Sequence, residues 1–449
     1  MAGRREASGG SDVPERAVAT GRLARSEGPL VAVMLALGFL LRLGWLFLNP
    51  AERLRPHRSE MWHVAATFAR TGRLADAYAP DSGVSSHVGP FNTMVEGLVY
   101  RVFGIGSTAS ELILAVLAAA VVCTLFWLLY RIAAALDVPL VPRLAALAVL
   151  LFVPFNYYVE VVDFRIREGA FAAMLAAGLL LWLLRLDAER LLGWRSVARF
   201  GLGAAFAFLI NPGIALGAYA GLGLVALRHL PVRRWPAAAL ILLAGFVAVN
   251  GAWIVRNEIV YHRFMVSRGN FGMELDTANH AAAIDPADPR AVFIARSQQI
   301  HPFFSAAALA RLKTYPDDAT YFAALGKEAN AWIAAHPADF ARITLRHLRE
   351  LYFPPSWLFD QYGTGEHSTR PKQALVWAID ALGLIALALG LVERTRRYLF
   401  VTLTIAFPTL LYIVVQPTLR YRYAFAGLLT YLAAGLVWRL IPRRERSPR

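Results

Sequence analysis

Residues Leu30–Leu48 read LVAVMLALGFLLRLGWLFL, and residues 49–104 follow directly as NPAERLRPHRSEMWHVAATFARTGRLADAYAPDSGVSSHVGPFNTMVEGLVYRVFG. The first run has about the length and apolarity that crosses a bilayer. No A-x-A-type cleavage site follows it, so it reads as an anchor and not as a removed signal peptide. The stretch Pro50–Ser110 sets carboxylates, histidines and aromatics beside apolar runs on both sides. Polar side chains held at a membrane surface mark a site more often than filler, and Glu60 is the candidate reacting group.

Composition extends this reading to the whole chain. Of 449 residues, 57% are hydrophobic and only 17% charged, and the apolar residues fall in blocks too long for ordinary core helices. The chain therefore reads as an all-α polytopic membrane protein. The net charge of +15 does not point to nucleic acid, because no zinc-ligand or RNA-binding pattern accompanies it and the arginines gather beside apolar runs. The single cysteine, Cys123, lies inside such a run and permits no intrachain disulfide.

Further spans are expected near 111–134, 141–158, 168–185, 199–212, 213–229, 237–257, 373–392, 398–416 and 424–441, for a total of about ten. Asn211-Pro212 divides two short ones. Arg190, Arg195, Arg233, Arg234, Arg394, Arg396, Arg397, Arg443, Arg444 and Arg446 all fall on one side of these spans, together with both termini, and the positive-inside rule makes that side the cytoplasm. The organisation expected is a disordered cytoplasmic tail at 1–28 and a transmembrane core at 29–257 that includes the exterior loop 50–110. An exterior loop domain at 258–372, closing helices at 373–441 and a tail at 442–449 complete it. Within the loop domain, Phe322, Leu325, Ala329, Trp332 and Ile333 recur at helical spacing before His336-Pro337. Phe340, Ile343, Leu348 and Leu351 form a second run up to Pro354-Pro355, so a small helical cap is expected outside the membrane.

Chemistry concentrates in three places. Met61, Trp62, Ala65, Phe68 and Ala69 predict a helix lying along the membrane surface with Glu60 at its start. There Glu60 is either a favourable charge on the helix dipole or a general base that takes a proton from an acceptor hydroxyl or amine. Glu160, Asp163 and Glu168 flank Arg165 and Arg167 in the next exterior loop, as an internal salt-bridge network or as a device that orients an acceptor. Between apolar runs, Arg420-Tyr421-Arg422 sets two arginines on the exterior side, where an anionic phosphate accounts for them, as does snorkelling to lipid headgroups. His57, His63 and His87 share the first loop without a ligand spacing, so no metal site is assigned, no cofactor is implied with certainty, and a divalent metal stays open.

Trp253-Ile254-Val255-Arg256-Asn257, the segment Ser267–Leu275 (SRGNFGMEL), AWIAAHPADFARI and the closing RYRYAFAGLL resemble bacterial membrane glycosyltransferases of the GT-C superfamily. Relatives there include the aminoarabinose lipid A transferase and the protein O-mannosyltransferases. The resemblance runs over nearly the whole chain from residue 30. It implies a transferase of the bacterial cytoplasmic membrane, active on its outer face, that moves a sugar from a polyprenyl-phosphate carrier to a lipid, glycan or protein acceptor. By position it makes Glu60 the base, Asp163 or Glu168 the assisting acid, and Arg420 to Arg422, with Tyr421 between, the phosphate contact. His57, His87, Arg256 and Asn270 complete the candidate set. Two departures stand out: His57 occupies the spot where many relatives place an aspartate, and the loop SSHVGPFNT matches the usual proline-rich pattern only at Pro90. The competing readings are a polysaccharide polymerase or ligase, a lipid-linked sugar transporter, and a catalytically inactive relative.

Overall fold

A computed structural model describes residues 15–50, 54–56, 58–190, 192–360 and 365–442. The described residues are 79% helical and contain no strand, only an isolated bridge between Ala75 and Val84. Helix is what apolar sequence must form in lipid, where each backbone polar group has to be satisfied within its own segment. The first span lies in α1 (Glu15–Phe47), and the first loop folds into α2 (Glu60–Thr71) and α3 (Pro90–Phe103). The bundle continues through α4 (Thr108–Ala135), α5 (Leu140–Phe152), the short α6 (Tyr157–Val161), α7 (Gly169–Glu189), α8 (Trp194–Ile210), α9 (Pro212–His229) and α10 (Trp235–Tyr261). The second long loop forms α11 (Phe271–Ala278), α12 (Pro289–Ile300), α13 (Ala306–Leu312), α14 (Asp318–Ala335), α15 (Pro337–Tyr352) and α16 (Ser356–Asp360). Helices α17 (Gly365–Tyr412) and α18 (Ala426–Leu440) close the bundle.

Two expectations change here. Of the stretch 1–28, residues 15–28 are helical and continue into α1, while 1–14 lie outside the described residues, as do 443–449 of the closing tail. The count of about ten spans is not confirmed. Among the described residues five helices are long and apolar enough to cross a membrane, or six if the pair bent by 42° at Leu140–Phe152 and Pro154–Arg165 is one span. Several of the expected spans fall below that length or share one helix. α8 has 17 residues and α18 has 15, α9 closes on the polar Arg228 and His229, and the runs at 373–392 and 398–416 are halves of one helical stretch broken at Arg394 (φ −140°, ψ 44°). The chain is a multi-pass membrane protein: α10 leaves Leu240, Leu243, Val247, Val255 and Ile259 exposed along its length, as a lipid-facing helix does.

Small residues set the packing, since lipid supplies little hydrophobic drive between helices. A Cβ on Gly217 would come 2.9 Å from the Leu403 carbonyl oxygen, and one on Gly383 would come 2.8 Å from that of Leu429, so α9 and α18 press directly on α17. The two loops share one core and form one cap, in which Met61 and Val64 of α2 pack with Met273, Tyr321, Phe322 and Leu325. α2 therefore buries its apolar side in protein, and Gly97 of α3 lets Phe68 and Ala65 approach closely. α11 crosses α14 at Gly272 and Gly326, where a Cβ on Gly272 would fall 2.1 Å from the Phe322 carbonyl oxygen.

Candidate functional site

Several helix ends meet where cap and bundle join, and the sequence shows why each one ends there. Ser59 caps α2, its Oγ accepting from the Trp62 amide, and this fixes Glu60 in the first turn. Glu168 precedes α7 at its N-terminus. Asn211 caps α9 with Pro212 in the first turn, so the chain breaks between α8 and α9 and Asn211 turns toward Tyr412, donating from Nδ2 to its hydroxyl over 2.7 Å. The 3₁₀ turn Leu419–Ala424 presents Arg420 and Tyr421 to the same space, and Tyr421 stacks on Tyr412 with ring centroids 4.1 Å apart. Together they enclose a cavity of about 340 Å³.

At one end Glu60 is buried and lies 3.3 Å from His301 Nε2. His87 packs edge-on against His301 and shares a 3.0 Å hydrogen bond between its Nδ1 and the Tyr78 hydroxyl. Burial drives the His87 ring down to about 3 and also lowers His301, so both are neutral near pH 7. Burial pushes Glu60 up, but His301, His87 and Arg167 pull it further down, and its carboxylate sits below the ordinary value. Glu60 is accordingly ionised at neutral pH. The ligand atoms of Glu60, His87 and His301 lie within 4.8 Å of one another, and two neutral imidazoles with a carboxylate make a zinc-type donor set, so these residues fit a divalent cation. The loop bearing His87 is held from below. The buried Asp318 carboxylate accepts from the Ser86 amide, the Ser86 hydroxyl and the Ser85 hydroxyl over 2.8–3.0 Å.

The other end is basic. Arg268 donates to Glu168 over 3.0 Å, Arg167 donates to Asp163 over 2.9 Å, and Arg420 lies over the Tyr421 ring. Burial raises Glu168, yet Arg268, a backbone hydrogen bond, Arg420 and Arg167 outweigh it and keep that carboxyl below its usual value. Asn270 donates to Glu274 over 3.3 Å at the edge of the cavity.

Of the residues singled out from sequence, Glu60, His87, Glu168, Asn270, Arg420 and Tyr421 line this cavity. Asp163 does not; it is buried behind the wall and holds Arg167 in place. Arg256 also stands behind it, bonded to Asn257, Tyr261 and the Ser85 carbonyl. Arg422 points away: its guanidinium is buried, paired with Asp380 at 2.7 Å and bonded to the Leu351 and Tyr352 carbonyls. His57 lies outside the described residues. The structure adds His301, Arg268 and Tyr412. Arg268 stands in the SRGNFGMEL motif, but nothing local marks His301 or Tyr412, since α12 and α17 bring them from far along the chain.

No family model and no curated protein sequence matches the chain. Among solved structures it is similar to the archaeal oligosaccharyltransferase AglB from Archaeoglobus fulgidus, in complex with an inhibitory peptide and a dolichol-phosphate. The TM-score is 0.51 at 13% identity, over 92% of this chain and 50% of that one. Apo and acceptor-peptide-tethered structures of the A. fulgidus enzyme score 0.41 and 0.42 at 13% identity, over 91% of this chain and 50% and 49% of those chains. The fold is similar to that of the archaeal oligosaccharyltransferase, and this chain spans about half the length of that protein.

Proposed function

We propose that the chain is a GT-C-type glycosyltransferase of the bacterial cytoplasmic membrane that moves a sugar from a polyprenyl-phosphate donor to an acceptor on the outer face. The observation that carries this is one cavity at the junction of bundle and cap that joins Arg167, Arg268 and Arg420 with Glu60 and Glu168. A lipid-phosphate sugar keeps its chain in the bilayer and presents its anomeric carbon at that depth. The dolichol-phosphate bound by AglB is such a lipid phosphate.

In this reading Arg420 and Arg268 hold the donor phosphate through charge-assisted hydrogen bonds, and Arg167 adds positive charge beside them. The acceptor's oxygen or nitrogen attacks the anomeric carbon. The bond from that carbon to the phosphate oxygen breaks, and the phosphate leaves with the electron pair. Glu60, ionised and buried, orients the acceptor and takes its proton. Glu168 aligns Arg268, and the stacked Tyr412 and Tyr421 give the cavity a flat apolar wall. A divalent cation held by Glu60, His87 and His301 would supply positive charge at that end of the cavity. The protein's own share is orientation and fixed electrostatics.

The test is transfer by purified protein in lipid nanodiscs, given a radiolabelled polyprenyl-phosphate sugar and an envelope extract as acceptor. Label leaving the donor for the acceptor fraction, abolished in the double variant R268A/R420A, supports the assignment. Donor that stays intact with every sugar tried overturns it.

A further inference from the structure

Lys372 has no part in the cavity described above, and its surroundings are unusual. It stands near the start of α17 with a relative exposure of 3%, so its ammonium does not reach water as a snorkelling lysine's would. It donates to the Phe155 carbonyl over 2.6 Å and lies 5.6 Å from the centre of the Phe359 ring. An ammonium has three donors and a carbonyl takes one of them. Among the described residues no carboxylate pairs with it. Glu160 is near enough to favour its charge but is committed to Arg42 at 2.7 Å and to the Tyr423 hydroxyl at 3.1 Å, and Asp380, further along α17, is paired with Arg422. A buried cation with no anion committed to it is unfavourable unless a further counter-charge arrives from outside.

A route for that counter-charge is present. α5 ends at Val153 because Pro154 follows, the chain bends by 42°, and the bend opens a slot of about 110 Å³ between α4, α5, α17 and α18. Leu125, Leu129, Val149, Val376 and Gly427 make most of its walls apolar, Lys372 stands in its lining with Arg422 and Glu160, both already paired, and the exposed Asn156 is also part of it. An apolar slot in the bundle that ends on a buried cation is the shape and charge of a site for an acidic lipid.

We infer that this slot binds a membrane lipid by its apolar chain, with the phosphate head on Lys372. The 3₁₀ turn Leu419–Ala424 is the wall between the two sites. Arg420 and Tyr421 face the first cavity, whereas Leu419, Arg422 and Tyr423 face the slot. A lipid seated there therefore rests against the back of the turn that presents Arg420. The inference goes beyond the proposed transferase reading and does not depend on it. The shared chemistry is an apolar chain with a phosphate head, available from anionic phospholipid or from an isoprenyl phosphate.

The test uses the full chain in phosphatidylcholine nanodiscs containing a few per cent of a phosphatidic acid whose acyl chain carries a diazirine, with crosslinks mapped by mass spectrometry. Crosslinks on 149–156 and 375–379 are expected. They should fall by about tenfold in K372Q, the effect of losing one charge-assisted hydrogen bond. T430W, which fills the slot, should remove them. Labelling of the exposed face of α10 at Leu240 and Leu243 serves as the internal control and should stay unchanged in both folded variants. Excess unlabelled phosphatidylglycerol or isoprenyl phosphate then competes: displacement by either supports the site and names its source. Displacement by neither, equal labelling from a phosphatidylcholine diazirine, or unchanged labelling in K372Q overturns it. None of these readouts requires sugar transfer.

Discussion

Acid should loosen the cap through His87, and the structure sets the size of the effect. His87 is enclosed by Tyr78, His301 and Phe322, and burial takes its ring from 6.5 to about 3. A depressed histidine pKa means that the unfolded chain binds a proton which the folded chain refuses. Stability from this group is therefore complete above about pH 6.5 and drains away as pH falls toward 3. At about 1.36 kcal/mol per unit, the loss between pH 6.5 and 4.5 is about 2–3 kcal/mol. His87→Phe keeps an aromatic ring in the core but leaves the Tyr78 hydroxyl without its 3.0 Å partner, which costs about 1–2 kcal/mol at pH 7. The variant should thus be less stable at neutral pH yet flatter in acid, and the two stability curves should cross between roughly pH 5 and 6. His301, His280 and Glu60 titrate with the same sign and Asp318, raised to about 6, with the opposite one. The wild-type minus variant difference reports His87 together with its coupling to Glu60 and His301. Thermal unfolding in detergent by tryptophan fluorescence from pH 7.5 to 4.5 measures it, and parallel curves with no crossing would refute the burial argument.

Three other outcomes follow from the packing. Replacing Arg268 by Ala should weaken binding of a polyprenyl-phosphate sugar by about ten- to hundredfold, with Lys restoring only part of it, as measured by isothermal calorimetry in nanodiscs. Arg422→Ala should leave donor affinity within about twofold while lowering stability by about 3–5 kcal/mol, because it strands the buried Asp380; a large loss of affinity in a stable protein would return Arg422 to the donor site. Gly272→Val forces atoms into the Phe322 carbonyl oxygen, so α11 and α14 must separate, and limited proteolysis should then cut within 271–335 in the variant alone.

What was legible in the sequence was whatever repeats locally. The helical spacing of Phe322, Leu325 and Ala329 became a buried face, and the break at Asn211-Pro212 became a cap that turns a side chain into the site. The span count is not confirmed, because apolarity does not tell a crossing helix from a shorter one packed within the bundle, and α8 and α18 are short. The alternation in Arg420-Tyr421-Arg422-Tyr423 was invisible as well: the tight 3₁₀ turn sends the first pair to one cavity and the second pair to the other. His301 pairs with Glu60 only through the folding of the cap, and no spacing in the sequence connects them.

The central claim is that Glu60 stands where donor and acceptor meet, and Glu60→Gln tests it most directly. The amide keeps the shape and hydrogen-bonding reach of the side chain and removes its charge. Sugar transfer by the purified variant, measured beside its donor affinity and its melting midpoint, should be slower than wild type by at least about a hundredfold, with the protein folded and donor still bound. Transfer at near wild-type rate would contradict the account and leave Glu60 as a charge on the end of a helix.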